Sequence, residues 1–206
     1  MIFNQSNLKQ SYDNHAEERD RSELQDWKLQ EREQFLRRLQ QEGCETFLEI
    51  GAGTGRDSLF FQQNGLHVTT VDLSEEMVRL CKEKGLADVH CMDFTYLDFE
   101  PGRFDAVYAL NCLLHLPKAE IDLTLEQICK VLGPNGLFYY GVYGGQDSEG
   151  VWDQDDYEPK RFFSFYEDDA IQEMVKRYFI LEDFHTVSIG EGKLHFQSMT
   201  LRKPVE

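Results

Sequence analysis

One stretch limits the folds open to this chain: Phe47-Leu48-Glu49-Ile50-Gly51-Ala52-Gly53-Thr54-Gly55-Arg56-Asp57. An apolar run closes on an acid and an isoleucine, three glycines follow at alternate positions, and a helical pattern then begins. The order reads as strand, tight turn, helix. Glycine accepts φ > 0 and carries no Cβ, so a ligand can come close to the backbone there. In open α/β sheets, nucleotide-like ligands sit at the turn leaving the carboxyl end of the first strand, where helix N–H groups point at them.

Strand and helix patterns keep alternating over 206 residues, enough for one α/β domain with a sizeable core. Residues 46–50, 66–72, 88–92, 104–110 and 137–143 read as strands. Residues 54–64, 74–84 and 118–132 read as the helices between them, with Ser74 as an N-cap and Gly65 and Gly85 as stops. Upstream, Leu24, Trp27, Leu29, Phe35, Leu36 and Leu39 define a helix over 22–41, capped by Ser22 and stopped by Gly43. Residues 1–20 have few apolar anchors, Leu8, Tyr12 and Ala16, and fit either a frayed leader or a short helix that covers a ligand site with Tyr12 turned inward. Residues 144–166, rich in glycine, acids and aromatics and without a period, read as a long substrate-side loop. A helix over 167–177 and strands over 179–189 and 193–202, joined by Gly190-Glu191-Gly192, complete the pattern. The expected fold is α/β: a Rossmann-like, doubly wound sheet of seven mostly parallel strands with a C-terminal antiparallel hairpin. It makes a single domain over 1–206, with 1–43 an N-terminal helical lid or packing segment.

Charge excludes some partners. Lysine and arginine number 21 against 38 aspartates and glutamates, a net charge of −17. Nucleic acids and anionic membranes are recognised largely by Lys/Arg neutralising phosphates, so neither is an expected partner. No apolar run approaches the length of a membrane span, and the N-terminus lacks the basic and apolar regions of a secretory signal. Cys44, Cys81, Cys91, Cys112 and Cys129 form no CxxC pair and fit reduced thiols in a cytoplasmic protein, monomeric or weakly dimeric. No His/Cys/Asp cluster has metal spacing, so no metal is expected.

Glu49, Asp72 and Asp93 end successive strands, which places the three acids on one rim facing a single ligand. Asp72, nearly twenty residues past the turn, stands where a carboxylate meets ribose hydroxyls. The glycines run Gly-x-Gly-x-Gly, unlike the Gly-x-Gly-x-x-Gly of dinucleotide binders, and apart from Arg56 nothing basic is placed for a pyrophosphate. A nucleoside without phosphates fits better, with a positive centre that Glu49 favours.

The motifs Glu49 to Gly55, Val71-Asp72-Leu73-Ser74, Met92-Asp93-Phe94, Phe104-Asp105-Ala106-Val107 and Leu132-Gly133-Pro134-Asn135-Gly136, in that order, resemble those of class I S-adenosylmethionine-dependent methyltransferases. Gly55-Arg56-Asp57-Ser58 is similar to the small-molecule branch with thiopurine-type and tellurite-resistance-type enzymes. The resemblance covers about residues 45–143. It implies S-adenosylmethionine as cofactor and S-adenosylhomocysteine as product. Gly51, Ala52 and Gly53 would carry the methionine part with Glu49 nearby, and Asp72 the ribose. Leu73 and Met77 would pack near the adenine, Asp93 would accept its amino group with Phe94 beside it, and Asn111 would lie near the methyl. Tyr12 joins this cofactor set if residues 1–20 cover the site. The Asx-Pro-Pro-aromatic signature of enzymes that methylate nucleic-acid amines is absent after strand four.

His115 is a candidate general base, or only shapes the loop before Leu116-Pro117. His67, His90, His185 and His195 fall in strand patterns and read as packing or edge residues. Tyr143, Trp152, Tyr157 and Arg161 are candidate acceptor contacts. Aromatic faces and acids in 144–166 suit a flat or cationic acceptor; Arg161 fits either a substrate carboxylate or one of the acids. The expected function is methyl transfer to an N, O or S nucleophile of a small molecule. The alternatives are an NAD(P)-dependent oxidoreductase, which the glycine spacing disfavours, and a non-catalytic S-adenosylmethionine-binding regulatory protein.

Overall fold

The computed structural model describes residues 3–190, 192 and 194–205. Its seven-stranded sheet has the order β3-β2-β1-β4-β5-β9-β8. The strands β1 (Thr46–Ile50), β2 (His67–Asp72), β3 (Asp88–Cys91), β4 (Phe104–Leu110) and β5 (Leu132–Gly144) run parallel. The last strand, β9 (His195–Arg202), lies antiparallel between β5 and β8 (Ile180–Val187). The sheet carries the expected doubly wound topology. Glu191 and Lys193, in the expected hairpin, lie outside the described residues, as do Met1 and Ile2 of the N-terminal segment.

Side-chain alternation along β1 sorts the core into two layers. Phe47 joins Phe35, Leu39, Phe61, Tyr108 and Tyr139 beneath α2 (Asp26–Glu42) and α3 (Arg56–Gln63). Leu48 and Ile50 join Val107, Phe138, Leu125 and Ile171 beneath α5 (Ile121–Val131) and α6 (Asp168–Val175). β4 sits in the middle, with Ala106 and Tyr108 in one layer and Val107 and Ala109 in the other. A strand covered on both faces is apolar nearly throughout, which is why its bounds were readable.

Four local expectations are corrected. Ser22 does not cap α2, whose N-cap is Gln25 without a side-chain bond; Ser22 ends α1 instead, donating to the Arg19 carbonyl at 2.7 Å. The helix expected from 118 starts at Ile121, and Leu132 already belongs to β5. Gly133 to Gly136 bulge out of β5, because Leu132 pairs with Phe104 and Leu137 with Ala106. Residues 144–166 are not an unstructured loop: β6 (Ser148–Val151) pairs antiparallel with β7 (Phe162–Phe165) in a separate two-stranded sheet.

Of the two readings for the N-terminal segment, the structure shows a helix, α1 (Gln5–Arg21), with Asn4 accepting from the N–H groups of Ser6 and Asn7. It packs on α4 (Glu75–Glu83) through Ala16, Tyr12, Met77 and Leu80. Polar contacts fasten it: Ser74 donates to Asp13 at 2.5 Å, Lys84 pairs with Asp20 at 2.5 Å and Arg79 with Glu17 at 2.7 Å. On the other side, Asn14 donates to the Glu158 carbonyl at 2.9 Å and His15 stacks on Tyr157 at 4.0 Å. The helix therefore bridges α4 and the segment that leads into β7.

Candidate active site

The three glycines of the turn do three jobs. A Cβ on Gly51 would stand 2.2 Å from the Cβ of Cys112, so this glycine lets the β1 and β4 loops touch. A Cβ on Gly55 would meet Cys81 at 2.7 Å, a packing constraint against α4. At Gly53 a Cβ would meet nothing within 4 Å, and φ is +57°. That position is open toward a ligand and costs a side chain only backbone strain.

Gly53 also ties the turn to β2. Its N–H donates to Asp72 Oδ2 at 2.7 Å, while the Ser74 N–H donates to Oδ1 at 2.9 Å. Each carboxylate oxygen keeps a lone pair for a second donor. Asp72 is buried, and desolvation raises its pKa to about 6 despite those two bonds.

Two small cavities meet over the turn. One, of about 50 Å³, is bordered by Tyr12, Asp72, Leu73, Phe94, Cys112 and His115. The other, of about 80 Å³, is bordered by Lys28, Glu49, Ala52, Thr54, Arg56 and Asp57. Arg19, Gly51, Gly53, Leu110 and Asn111 border both. A larger groove of about 400 Å³ lies between α2 and the β8–β9 edge, away from the turn, with polar walls that include Glu31, His185 and Ser198. Ligand pockets start near ~300 Å³, so the paired cavities need α1 to shift before they hold a nucleoside.

Of the three acids expected to face one ligand, Asp72 and Glu49 border the paired cavities, one each, and Asp93 does not. Glu49 shares the face of Phe47 by strand alternation, so it points under α3, where Ser58 donates to it. Burial and the nearby Asp57 charge push its pKa well above the usual carboxylate range. Asp93 borders neither cavity; it accepts from the Gln5 side chain and, at 2.8 Å, from the Thr95 N–H. Met77 lies one layer deeper, fully buried under Ala16, while Leu73 and Phe94 border the cavity directly. Asn111 sits at φ 54° with its N–H on the Gly141 carbonyl at 2.8 Å, and its Oδ1 is buried without a protein partner. Asparagine tolerates that backbone region, and an orphaned buried acceptor beside two cavities is a ligand contact in waiting.

His115 is buried at 3 % exposure. Its Nδ1 faces the Phe162 carbonyl at 2.8 Å, which can only accept, so Nδ1 carries the hydrogen. Nε2 is then the acceptor of the Tyr12 hydroxyl at 2.6 Å. Desolvation lowers the His115 pKa to about 3, so the ring is neutral. Arg161 donates to the same Tyr12 oxygen at 3.3 Å, and grips Asp155 with a two-point fork at 2.9 and 2.6 Å.

That fork corrects the reading of the aromatic segment. Asp155 is spent on Arg161 and the other acids of the run, Asp153 and Asp156, are exposed, so no free acid of this segment faces the cavities. Trp152 is 46 % exposed and borders neither cavity. Tyr157 stacks under Arg161 at 3.7 Å and accepts from Arg19 at 3.4 Å; Tyr143 stands beside Asn111. Three of the four strand histidines are paired with acids: His90 with Asp88, His185 with Glu31 and Asp183, and His195 with Asp168. Arg19 and Lys28 were not anticipated. A signal existed for Arg19, since Leu8, Tyr12 and Ala16 mark a helical stripe and Arg19 extends it by one turn. Among the described residues no group of His, Cys, Asp and Glu is arranged to hold a metal ion, and no helix is long and apolar enough to cross a membrane.

Comparison with known proteins fits this geometry. Residues 47–136 match a family model described as a methyltransferase domain. The chain's sequence is 33 % identical over 124 residues to sterol 24-C-methyltransferase ERG6B of Gibberella zeae, a match that covers 55 % of this chain and 31 % of that protein. It is 30 % identical over 118 residues to glycine N-methyltransferase of Rattus norvegicus, covering 48 % and 40 %. The chain thus spans less than half the length of these curated relatives. In fold, this chain is similar to Burkholderia thailandensis 1,6-didemethyltoxoflavin-N1-methyltransferase, solved with 1,6-didemethyltoxoflavin and S-adenosylhomocysteine. The TM-score is 0.74 at 23 % identity, covering 97 % of this chain and 88 % of that one.

Proposed function

We propose that the protein transfers a methyl group from S-adenosylmethionine to a nucleophilic N, O or S atom of a small molecule in the cytoplasm, acting as a monomer or weak dimer and not on nucleic acid or membranes. The observation that carries this reading is the pair of cavities meeting over Gly53. One has the carboxylate a nucleoside needs, and the other has acids and a lysine suited to an amino acid's two charges. The matched domain supports it over an oxidoreductase. The compared proteins are named for acceptors as different as a sterol, glycine and 1,6-didemethyltoxoflavin.

When bound, the cofactor supplies an electrophilic methyl on a sulfonium that loses its charge on transfer. Asp72 would accept the ribose hydroxyls, Leu73 and Phe94 would flank the adenine, and the Asn111 carbonyl oxygen would meet the cofactor near the methyl. Lys28 would face the methionine carboxylate, with Glu49 and Asp57 near the ammonium. Burial and the neighbouring Arg19 lower the Lys28 pKa to about 8, and a bound carboxylate would restore the full charge. Asp93 is held by Gln5, so it would reach an adenine amino group only after α1 shifts.

His115 Nε2, reached through the Tyr12 hydroxyl, is the atom placed to take a proton from the acceptor. A proton there replaces the positive charge lost on transfer, so the chamber's net charge is unchanged, which suits a base too desolvated to protonate alone. α1 would act as the lid that excludes water and aligns the acceptor. Calorimetric titration with S-adenosylhomocysteine and with NAD tests the reading: binding of the first at micromolar Kd and not the second is expected, and the reverse would end it.

A further inference from the structure

This acidic chain pairs most of its cations. Arg32 meets Asp57, Arg79 meets three glutamates, Arg202 meets two, and Arg161 at the edge of the site has Asp155. Three cations in the site are exceptions. Among the described residues, Arg19, Lys28 and Arg56 form no ion pair, and Arg56 is turned onto the Ser22 carbonyl. Arg19 has the Tyr157 hydroxyl at 3.4 Å and the Tyr12 ring at 5.4 Å, and the cations Arg161, Lys28 and Arg56 all feel its charge. Asp72 and Asp57 lie within electrostatic range of Arg19 and Lys28, yet neither cation makes a direct pair, so a ligand that brings negative charge is favoured there.

The cofactor of the proposed reaction brings one carboxylate, and the site has three unpaired cations. Their positions divide the work. Lys28 and Arg56 border only the cavity assigned to the methionine end, and Arg56 is already held by the Ser22 carbonyl. Arg19 borders both cavities, at their junction, and reaches toward Tyr12 and Tyr157 on the His115 side. The junction is also where a sulfonium would lie, and a bare guanidinium beside it is a like-charge contact that a second anion relieves. We propose that the methyl acceptor is an anion, a small molecule carrying a carboxylate or phosphate group, and that Arg19 is the residue that reads this group. The proposal rests on the methyltransferase reading above. It reverses the expectation of a cationic acceptor, because the acids that suggested one are either paired with Arg161 or turned to solvent. Arg19 selects by charge, and Tyr12 gives the ligand an aromatic edge beside that charge.

The test is calorimetry on the full chain saturated with S-adenosylhomocysteine. Benzoate and acetate probe for a carboxylate, methyl phosphate and inorganic phosphate probe for a phosphate, and benzamide is the neutral control. At least one anion is expected to bind about tenfold tighter than benzamide, which identifies the group. Arg19→Gln should weaken that anion by about tenfold while changing S-adenosylhomocysteine affinity by less than about threefold; Arg19→Lys should keep part of the anion affinity, and Lys28→Met should weaken S-adenosylhomocysteine instead. Melting temperatures confirm that each variant is folded. If no anion binds the saturated protein, or if Arg19→Gln costs S-adenosylhomocysteine as much as it costs the anion, the proposal is overturned. If S-adenosylhomocysteine does not bind the unaltered protein, the methyltransferase reading falls first and takes the proposal with it.

Discussion

Around Gly53 the site is made of backbone. The turn, the ends of β1 and β2 and the first residues of α4 meet through N–H groups on one carboxylate, Asp72, and the residues involved lie 19 positions apart or fewer. Around Tyr12 it is made of side chains. Tyr12, His115 and Arg161 converge on one hydroxyl from segments as far apart as 149 positions. The first kind of site is set by strand order and glycine geometry, and so persists on any chain with this fold. The second depends on where a helix and a hairpin come to rest, and that is where one chain can differ from its relatives.

The contrast can be broken most directly with glycine substitutions. Gly51→Ala, which drives a Cβ into Cys112, is expected to abolish folding or cost more than ~3 kcal/mol, whereas Gly53→Ala should cost only ~1–2 kcal/mol of backbone strain and remove S-adenosylhomocysteine binding. Denaturant melts with calorimetry check both; similar behaviour of the two variants would show that the turn has no separate ligand glycine. Next in size, Asp72→Ala should weaken S-adenosylhomocysteine by at least about tenfold, and in the unaltered protein the affinity should fall as pH drops through about 6, where the carboxylate protonates.

Stability against pH sharpens the comparison, because the two halves carry opposite signs. The folded pKa of Asp72 is raised, so its contribution to stability is present at low pH and lost as pH rises from 4 to 6. The folded pKa of His115 is depressed to about 3, so its contribution is lost as pH falls below the unfolded value of about 6.5. Between pH 4 and 6 the two slopes, each up to ~1.4 kcal/mol per unit, oppose each other. Relative to the unaltered protein, Asp72→Asn should gain stability with rising pH and His115→Gln should lose it; urea melts at both ends of the window read the signs. The smallest effect belongs to Trp152→Ala. An exposed ring outside both cavities should change S-adenosylhomocysteine affinity by less than about twofold, and a larger change would bring that hairpin back into the site.

The same contrast explains what could be read without coordinates. β1 and β4 have their expected bounds because their apolar runs and terminal signals are local. Ser74 caps α4 as its position suggests, accepting from the Met77 N–H at 3.1 Å. The direction of Glu49 was also legible, since it shares parity with Phe47. The structure of residues 144–166 was not legible. β6 and β7 pair only with each other over a long, polar intervening stretch that carries no alternation. Arg19 and Lys28 acquire meaning only from what they lack, and the absence of a direct ion pair is a property of space rather than of order along the chain.

α1 is fastened to α4 mostly by ion pairs with well-solvated partners, such as Arg79 with Glu17, and by a small apolar contact at Ala16. Exposed pairs of this kind contribute ~0–1 kcal/mol each and weaken as salt rises. The cover over the cavities is therefore an electrostatic latch whose strength the surrounding medium adjusts. Raising ionic strength would leave the sheet and its glycine turn intact while speeding the exchange of whatever lies beneath the helix.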